Sequence, residues 1–288
     1  MDALLNLILD PLSYPFMARG MLAALMVGVV CALMGTYVVL RGMAFFGDAL
    51  AHSILPGVAA GYLVGGGARG PLFWGALAAA VISSLGIGAV ARSVKLRQDT
   101  AIGVVFAGMF ALGIAMISTV RNYSVDLTHF LFGDILGVSD GDLLAIAAFG
   151  GLILLAVAAL YKEFLVLSFD PILAVTLRLP VRLLEYLLLI LIALAIVVSL
   201  QAVGVALMVA MLVTPAAAAS LLTRRLLPMM GLAAAMACLS GVAGLYFSYY
   251  FSLASGAAIV LTSTVLFAAA WAYKNLRFRP AGRRRLVA

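Results

Sequence analysis

Along this chain the apolar residues neither alternate strictly nor recur every third or fourth position. They run on for about twenty residues at a time between short breaks rich in Arg, Asp, Pro and Gly. That run length is what an α-helix needs to cross a hydrocarbon core of ~30 Å. A membrane barrel would instead show roughly ten-residue segments of alternating polarity. Nine apolar stretches can be drawn, at 16–40, 44–64, 71–91, 101–120, 143–161, 183–200, 203–222, 228–250 and 254–273. Only residues 201–204 separate the sixth from the seventh. Joined, the two would form one helix of about 40 residues, too long for a single crossing, so they are read as a hairpin. The predicted fold is all-α, a polytopic membrane helical bundle of nine spans, or eight if those two merge, in one domain over 1–288.

Composition agrees with the pattern, since 66% of residues are hydrophobic and 10% charged against ~25% charged in soluble domains. The net charge of +7 does not point to nucleic acid, because the basic residues stand singly between apolar runs and not on one polar face. Their placement is topological instead. Fifteen of the 18 fall on one side: Arg41; Arg92, Lys95 and Arg97; Lys162, Arg178 and Arg182; Arg224 and Arg225; and Lys274, Arg277, Arg279, Arg283, Arg284 and Arg285. Arg19, Arg69 and Arg121 fall on the other. The positive-inside rule then puts the amino terminus outside and the basic tail, 274–288, in the cytoplasm, which requires an odd number of spans. The opening MDALLNLILDPLSYPF carries two aspartates and no Lys or Arg, so it is read as mature sequence and not as a cleavable signal. Cys31 and Cys238 lie inside apolar runs and read as small core residues.

Two connections exceed a turn. Residues 121–142, on the outer side, surround an apolar FLFGDILGV core with Asp126, His129, Asp134, Asp140 and Asp142, which predicts a short surface or re-entrant helix. On the cytoplasmic side, Ser168, Phe169, Asp170 and Pro171 open a segment predicted to form a short helix along the membrane surface over about 168–180. Asp170 suits the cap and Pro171 the first helical position, where no N–H is needed. Leu179 before Pro180 predicts the stop.

Most carboxylates lie in loops, at span ends or in tails; Asp48 does not. In GMAFFGDALAHSILPGVAAGYLVGG, Asp48 and His52 stand four residues apart, on one helical face. Charge at bilayer depth costs ~2.5 kcal/mol or more, so it normally faces an interior or a path, with a partner. A carboxylate beside an imidazole suits a borderline divalent cation such as Zn²⁺ or Mn²⁺. The competing readings are a mutual structural pair, or an aspartate at a helix end. Pro56 removes the N–H that would bond the His52 carbonyl, freeing that oxygen beside the pair; the plain alternative is a packing kink. Gly57, Gly61 and Gly65 form tandem G-x-x-x-G steps that predict a close neighbouring backbone. Pro215 would likewise free the carbonyl of Met211 and is read as a second broken helix near a path, while thioethers of Met43, Met208 and Met211 are read first as packing. Asp126, His129 and Asp134 form a candidate entry site for cations, against the alternative of a solvated, partner-docking loop. No G-x-x-x-x-G-K-S/T phosphate loop is present, so any ATP hydrolysis must belong to another subunit.

These elements resemble the permease subunits of bacterial ABC importers for manganese, zinc and iron. The likeness rests on YVVLRGMAFFGDALAHSILPG at 37–57, DLTHFLFGDIL at 126–136, SFDP at 168–171 and TPAA at 214–217. It implies a multi-pass permease of the bacterial cytoplasmic membrane, working as a homodimer in lipid with cytoplasmic ABC ATPase subunits and an extracytoplasmic metal-binding protein. It further implies that Asp48 and His52 hold the transported Mn²⁺ or Zn²⁺, that 168–180 docks on the ATPase, that 121–142 faces the delivery protein, and that the permease itself is not an enzyme. Phe130 stands where an aromatic hydroxyl is common in the family, and His129 is not expected in every member. The alternatives are a permease for haem, cobalamin or a siderophore, against which the acidic pair and short outer loops speak, or a proton-coupled secondary carrier using Asp48.

Overall fold

The computed structural model describes residues 10–11, 13–66, 68–93, 97–119 and 134–277. Among them the chain is all-helical. The helices are α1 (Pro15–Leu40), α2 (Phe46–Ser53), α3 (Leu55–Gly65), α4 (Arg69–Ser93), α5 (Gln98–Ser118), α6 (Asp140–Ala159), α7 (Tyr161–Phe169), α8 (Pro171–Thr176), α9 (Val181–Val203), α10 (Val205–Leu222), α11 (Leu226–Phe251) and α12 (Ser255–Arg277). Eight of them, α1, α4, α5, α6, α9, α10, α11 and α12, are individually long and apolar enough to cross a membrane. The stretch expected at 44–64 is instead two shorter helices, α2 and α3.

The sixth and seventh stretches do separate, and a single residue divides them. Gly204 adopts φ 79° and ψ 171° between α9 and α10. That conformation is open to glycine and strained for any residue with a Cβ.

Helices α1, α9 and α10 form the centre. Cys31, Met34, Ile192, Ala195, Met208 and Leu212 are fully or almost fully buried there, and the Cys31 thiol donates to Ser199 Oγ at 3.2 Å. Helices α5, α6 and α12 lie outside, with Val104, Leu144, Leu155 and Val265 exposed. The bundle has two distinguishable ends. At one, Arg19 of α1 meets Asp140 of α6 at 3.7 Å, Arg69 of α4 meets Asp142 at 3.9 Å, and Tyr14 lies near Tyr249 of α11. At the other, Arg92 of α4 meets Glu185 of α9, and Tyr37 of α1 meets Phe164 of α7. Ends of successive helices thus alternate once α2 and α3 count as one pass.

Of the two long connections, the expected helix of 121–142 lies largely outside the described residues, and the cytoplasmic one is shorter than the sequence expectation. Of 121–142, the described part holds a single 3₁₀ turn, Ile135–Gly137, whose Ile135 is buried with its carbonyl against Gly20. On the other side, Ser168 and Phe169 belong to the end of α7, and the surface helix is only Pro171–Thr176. Its stop comes before Pro180: Arg178 takes φ 57°, and the Leu179 N–H returns to the Ala174 carbonyl at 3.1 Å. That bond closes the carbonyls of the last turn, so the helix ends through its own cap.

Candidate functional site

After α1 the chain turns at Gly42, φ 69°, and the buried Met43 returns its N–H to Val38 at 2.9 Å before α2 begins. Asp48 stands in the first turn of α2 and His52 in the last. Asp48 Oδ1 lies 3.8 Å from His52 Nε2, with side chains 40% and 29% exposed. The expected juxtaposition is present, but this chain does not bury it. The pair begins one turn past the reversal, and Gly47, its neighbour, and Gly35 of α1 both abut Leu212 of α10.

Three phenylalanines flank the pair. The His52 ring packs against Phe106 and Phe110 of α5, at centroid distances of 6.2 and 5.9 Å; Phe106 stacks on Phe110 at 5.7 Å and meets Phe45 edge-on at 6.2 Å. The imidazole therefore packs on a short aromatic ladder as well as lying near Asp48. Among the described residues no group of three or more His, Cys, Asp or Glu side chains could hold a metal. What the chain offers is one carboxylate, one imidazole and nearby backbone oxygens.

The break between α2 and α3 falls at Ile54, φ −76° and ψ −13°, two residues before the proline. Pro56 supplies no N–H to the His52 carbonyl, and its ring crowds that same oxygen, so the helical ladder opens one turn upstream and the carbonyl takes the Ile54 N–H of the break instead. It resumes at once, with the Val58 N–H on the Ile54 carbonyl at 3.0 Å. Gly113 of α5 receives the break: a Cβ there would lie 2.8 Å from Leu55 Cβ and 2.9 Å from the Pro56 nitrogen. The glycine steps beyond it pack on α4, Gly57 against Gly75 and both Gly61 and Gly65 against Pro71. Side-chain-free faces allow this approach.

Pro215 does not break its helix. Helix α10 runs continuously through it, with Pro215 and Met211 buried and Met211 Sδ 3.8 Å from the Ser240 hydroxyl. Closely packed neighbours, Gly35 of α1 among them, hold the proline turn in helical form. Met43 and Met208 are buried in the core, consistent with packing. Asp134 caps the 3₁₀ turn by accepting the Leu136 N–H at 3.1 Å, whereas Asp126 and His129 lie outside the described residues.

On the opposite side of the bundle, the Asp170 carboxylate accepts the N–H groups of Ile172 and Leu173, both at 3.0 Å, with Pro171 in the first turn. The cap read from the sequence is thus in place, and it holds out an apolar knob: Phe169 is 52%, Ile172 80% and Val175 63% exposed. The Ser168 hydroxyl is buried without a hydrogen-bond partner.

A cluster that sequence reasoning missed lies beside this knob. The Arg92 guanidinium pairs with Glu185 and lies 4.5 Å over the Tyr186 ring. Arg41 at the end of α1 stands close enough to feel both charges; burial pulls it below the usual arginine range, which Glu185 opposes and Arg92 reinforces. In the sequence these residues read only as charges at span ends.

The chain matches the ABC 3 transport family over residues 13–274. It is 44% identical over 260 residues to a manganese transport system membrane protein, MntC, of Halalkalibacterium halodurans, covering 90% of this chain and 88% of that one. It is 40% identical over 272 residues to a probable iron transport system membrane protein of Haemophilus influenzae, covering 94% and 98%. Among solved structures it is similar to PsaBC from Streptococcus pneumoniae in complex with Fab, with a TM-score of 0.79 and 35% identity over 93% of this chain and 95% of that one.

Proposed function

The chain belongs to the ABC 3 transport family, and from that premise we propose that it is the permease of an importer carrying a divalent transition metal into the cytoplasm by alternating access. Manganese is the first candidate cargo and iron the second, after the named relatives; zinc follows from the ligand chemistry. The observation that carries the reading is the Asp48–His52 pair, an oxygen and a nitrogen donor 3.8 Å apart within an apolar pass, beside a carbonyl whose i+4 donor Pro56 has removed.

Two side chains do not complete a shell, since zinc takes four ligands and manganese about six. Water, the His52 carbonyl and a second copy of the chain supply the rest. The second copy is favoured by exposure: the pair is left 29–40% open within an apolar pass, where charge facing lipid costs ~2.5 kcal/mol or more at depth unless another protein surface covers it. Metal arrives from an extracytoplasmic binding protein at the end bearing Arg19, Asp134 and Asp140, with Asp126, His129 and Asp134 as the entry group. It exchanges water for Asp48 and His52, passes Met211 and Pro215 on the path, and leaves at the Arg92 end, in the cytoplasm. A separate ABC ATPase docks on Ser168, Phe169, Asp170 and Pro171 and the knob of α8, because this sequence lacks a phosphate loop of its own.

Uptake of radioactive manganese into vesicles holding the permease, its ATPase and the binding protein tests the reading. Asp48→Asn and His52→Ala are expected to abolish ATP-dependent uptake without loss of the assembled complex. Uptake unaffected by both changes, or proceeding without the ATPase, would sink it.

A further inference from the structure

Helix α8 and the pair Asp48 and His52 lie on different elements, so a movement imposed on α8 needs a solid route to reach the pair. The structure offers one, in four contacts.

The first is the joint between α8 and α9. Ala174 is fully buried, the Leu179 N–H bonds its carbonyl at 3.1 Å, and the Val181 N–H bonds Leu179 at 2.8 Å. Pro180, with its fixed φ, caps α9, and the Leu184 N–H bonds the Pro180 carbonyl at 3.0 Å. Four residues, 177–180, separate the helices, and each backbone bond named spans part of that gap. The start of α9 therefore follows α8 with little slack.

The second contact is Glu185 with Arg92. Tyr186 adds its ring face beneath the guanidinium, and one turn back Gly88 lets α9 in close, its Cβ position 3.0 Å from both Tyr186 Cε1 and Leu189 Cδ1. Planar guanidinium held by a carboxylate and an aromatic face resists shear in two directions. The third is α4 itself, a rod of ~26 Å between Arg92 and Gly75 at 1.5 Å per residue. The fourth is Gly75 against Gly57, where backbones meet without side chains to give way. Beyond it lies the break at Ile54, the only interruption between Gly57 and His52.

We infer that the Arg92–Glu185 pair, seated on Tyr186, is the link that carries movement of α8 into the helices bearing Asp48 and His52. The inference rests on the reading that an ATPase drives α8. Arg92 and Glu185 are positioning residues, since neither touches the cargo. The pair is only 31% and 28% open, so it also contributes to stability, and the test separates that contribution from transmission.

The test uses the full transporter in vesicles, with manganese uptake and ATP hydrolysis measured on the same preparation and thermal unfolding measured on the purified complex. Arg92→Gln and Glu185→Gln are each expected to lower uptake about tenfold, within the usual range of coupling energies, while hydrolysis and unfolding temperature stay at parental values. The double variant should be no worse than either single, because both changes cut one link. Arg92→Lys, which keeps the charge, should retain most of the uptake. Unchanged uptake in the Gln variants overturns the inference. So does a parallel fall in uptake, hydrolysis and unfolding temperature that Lys does not repair, the mark of a structural strut. A parent complex whose uptake ignores ATP refutes the ATPase reading itself and takes this inference with it.

Discussion

Gly57 and Gly75 meet backbone to backbone: a Cβ added to Gly57 would lie 2.0 Å from the Gly75 carbonyl oxygen, and one added to Gly75 would lie 2.2 Å from that of Gly57. Neither carbonyl can swing away without breaking its helix. Gly57→Val and Gly75→Val should each destabilise the bundle by about 1–3 kcal/mol, the usual cost of overpacking, and the loss should appear as a lowered unfolding temperature in detergent. Gly103, beside which a Cβ meets nothing within 4 Å, is the control, and Gly103→Ala should leave that temperature unchanged or raise it.

The break at Ile54 separates two explanations of Pro56. If the proline only fits a gap over Gly113, Pro56→Ala should leave uptake intact. If the His52 carbonyl, left without its i+4 donor and held only by the Ile54 N–H, serves the cargo, Ala restores the missing N–H, the ladder closes across 52–56, and uptake falls although the helix gains a bond. Retained or raised thermal stability with lowered manganese uptake is the expected outcome. Unimpaired uptake in Pro56→Ala would remove the carbonyl from the site.

Asp170 holds α8 in place through two N–H groups. Replacing such a cap by alanine costs ~0.5–2 kcal/mol, and here the loss falls on a six-residue helix with little else to start it. Asp170→Ala should therefore loosen ATPase association, read by co-purification of the two subunits, while the permease alone unfolds near its parental temperature. Asp170→Asn or Asp170→Ser, which keep an oxygen acceptor, should recover most of the association.

The parts of this molecule visible in the sequence are those that depend on near neighbours. Run length shows the helices, i and i+4 spacing shows Asp48 beside His52, and Asp170 before Pro171 shows a cap. Pro56 signals a break but not its position, because a proline's ring disturbs the turn before it and packing chooses which bond opens. The tandem glycines announce a close partner without naming α4, since that partner comes from a different helix. Phe106, Phe110 and Gly113 carry no signal of their own in an apolar span, where any aromatic or small residue looks like filling. Arg92 and Glu185 were legible only as topology, because charges at span ends satisfy the positive-inside pattern whether or not they pair. Pro215 misled for the opposite reason: a proline in a helix weakens one bond, and tight neighbours kept the rest.

The aromatic ladder gives the last expectation. Aromatic contacts of the kind His52 makes with Phe106 and Phe110 contribute ~0.5–1.5 kcal/mol each, and here that energy holds the orientation of a proposed ligand ring. An imidazole free to turn spends less time aimed at the Asp48 side, so removing one phenylalanine should weaken metal binding by up to about tenfold, since 1.4 kcal/mol is a factor of ten. Both rings lie on α5, a helix with few buried residues, so truncation should cost the bundle little. Phe110→Ala should raise the manganese concentration for half-maximal uptake by up to that factor and leave the unfolding temperature close to parental, and Phe110→Tyr should restore the affinity. A drop in unfolding temperature that accounts for the whole loss would instead make the ladder a packing feature.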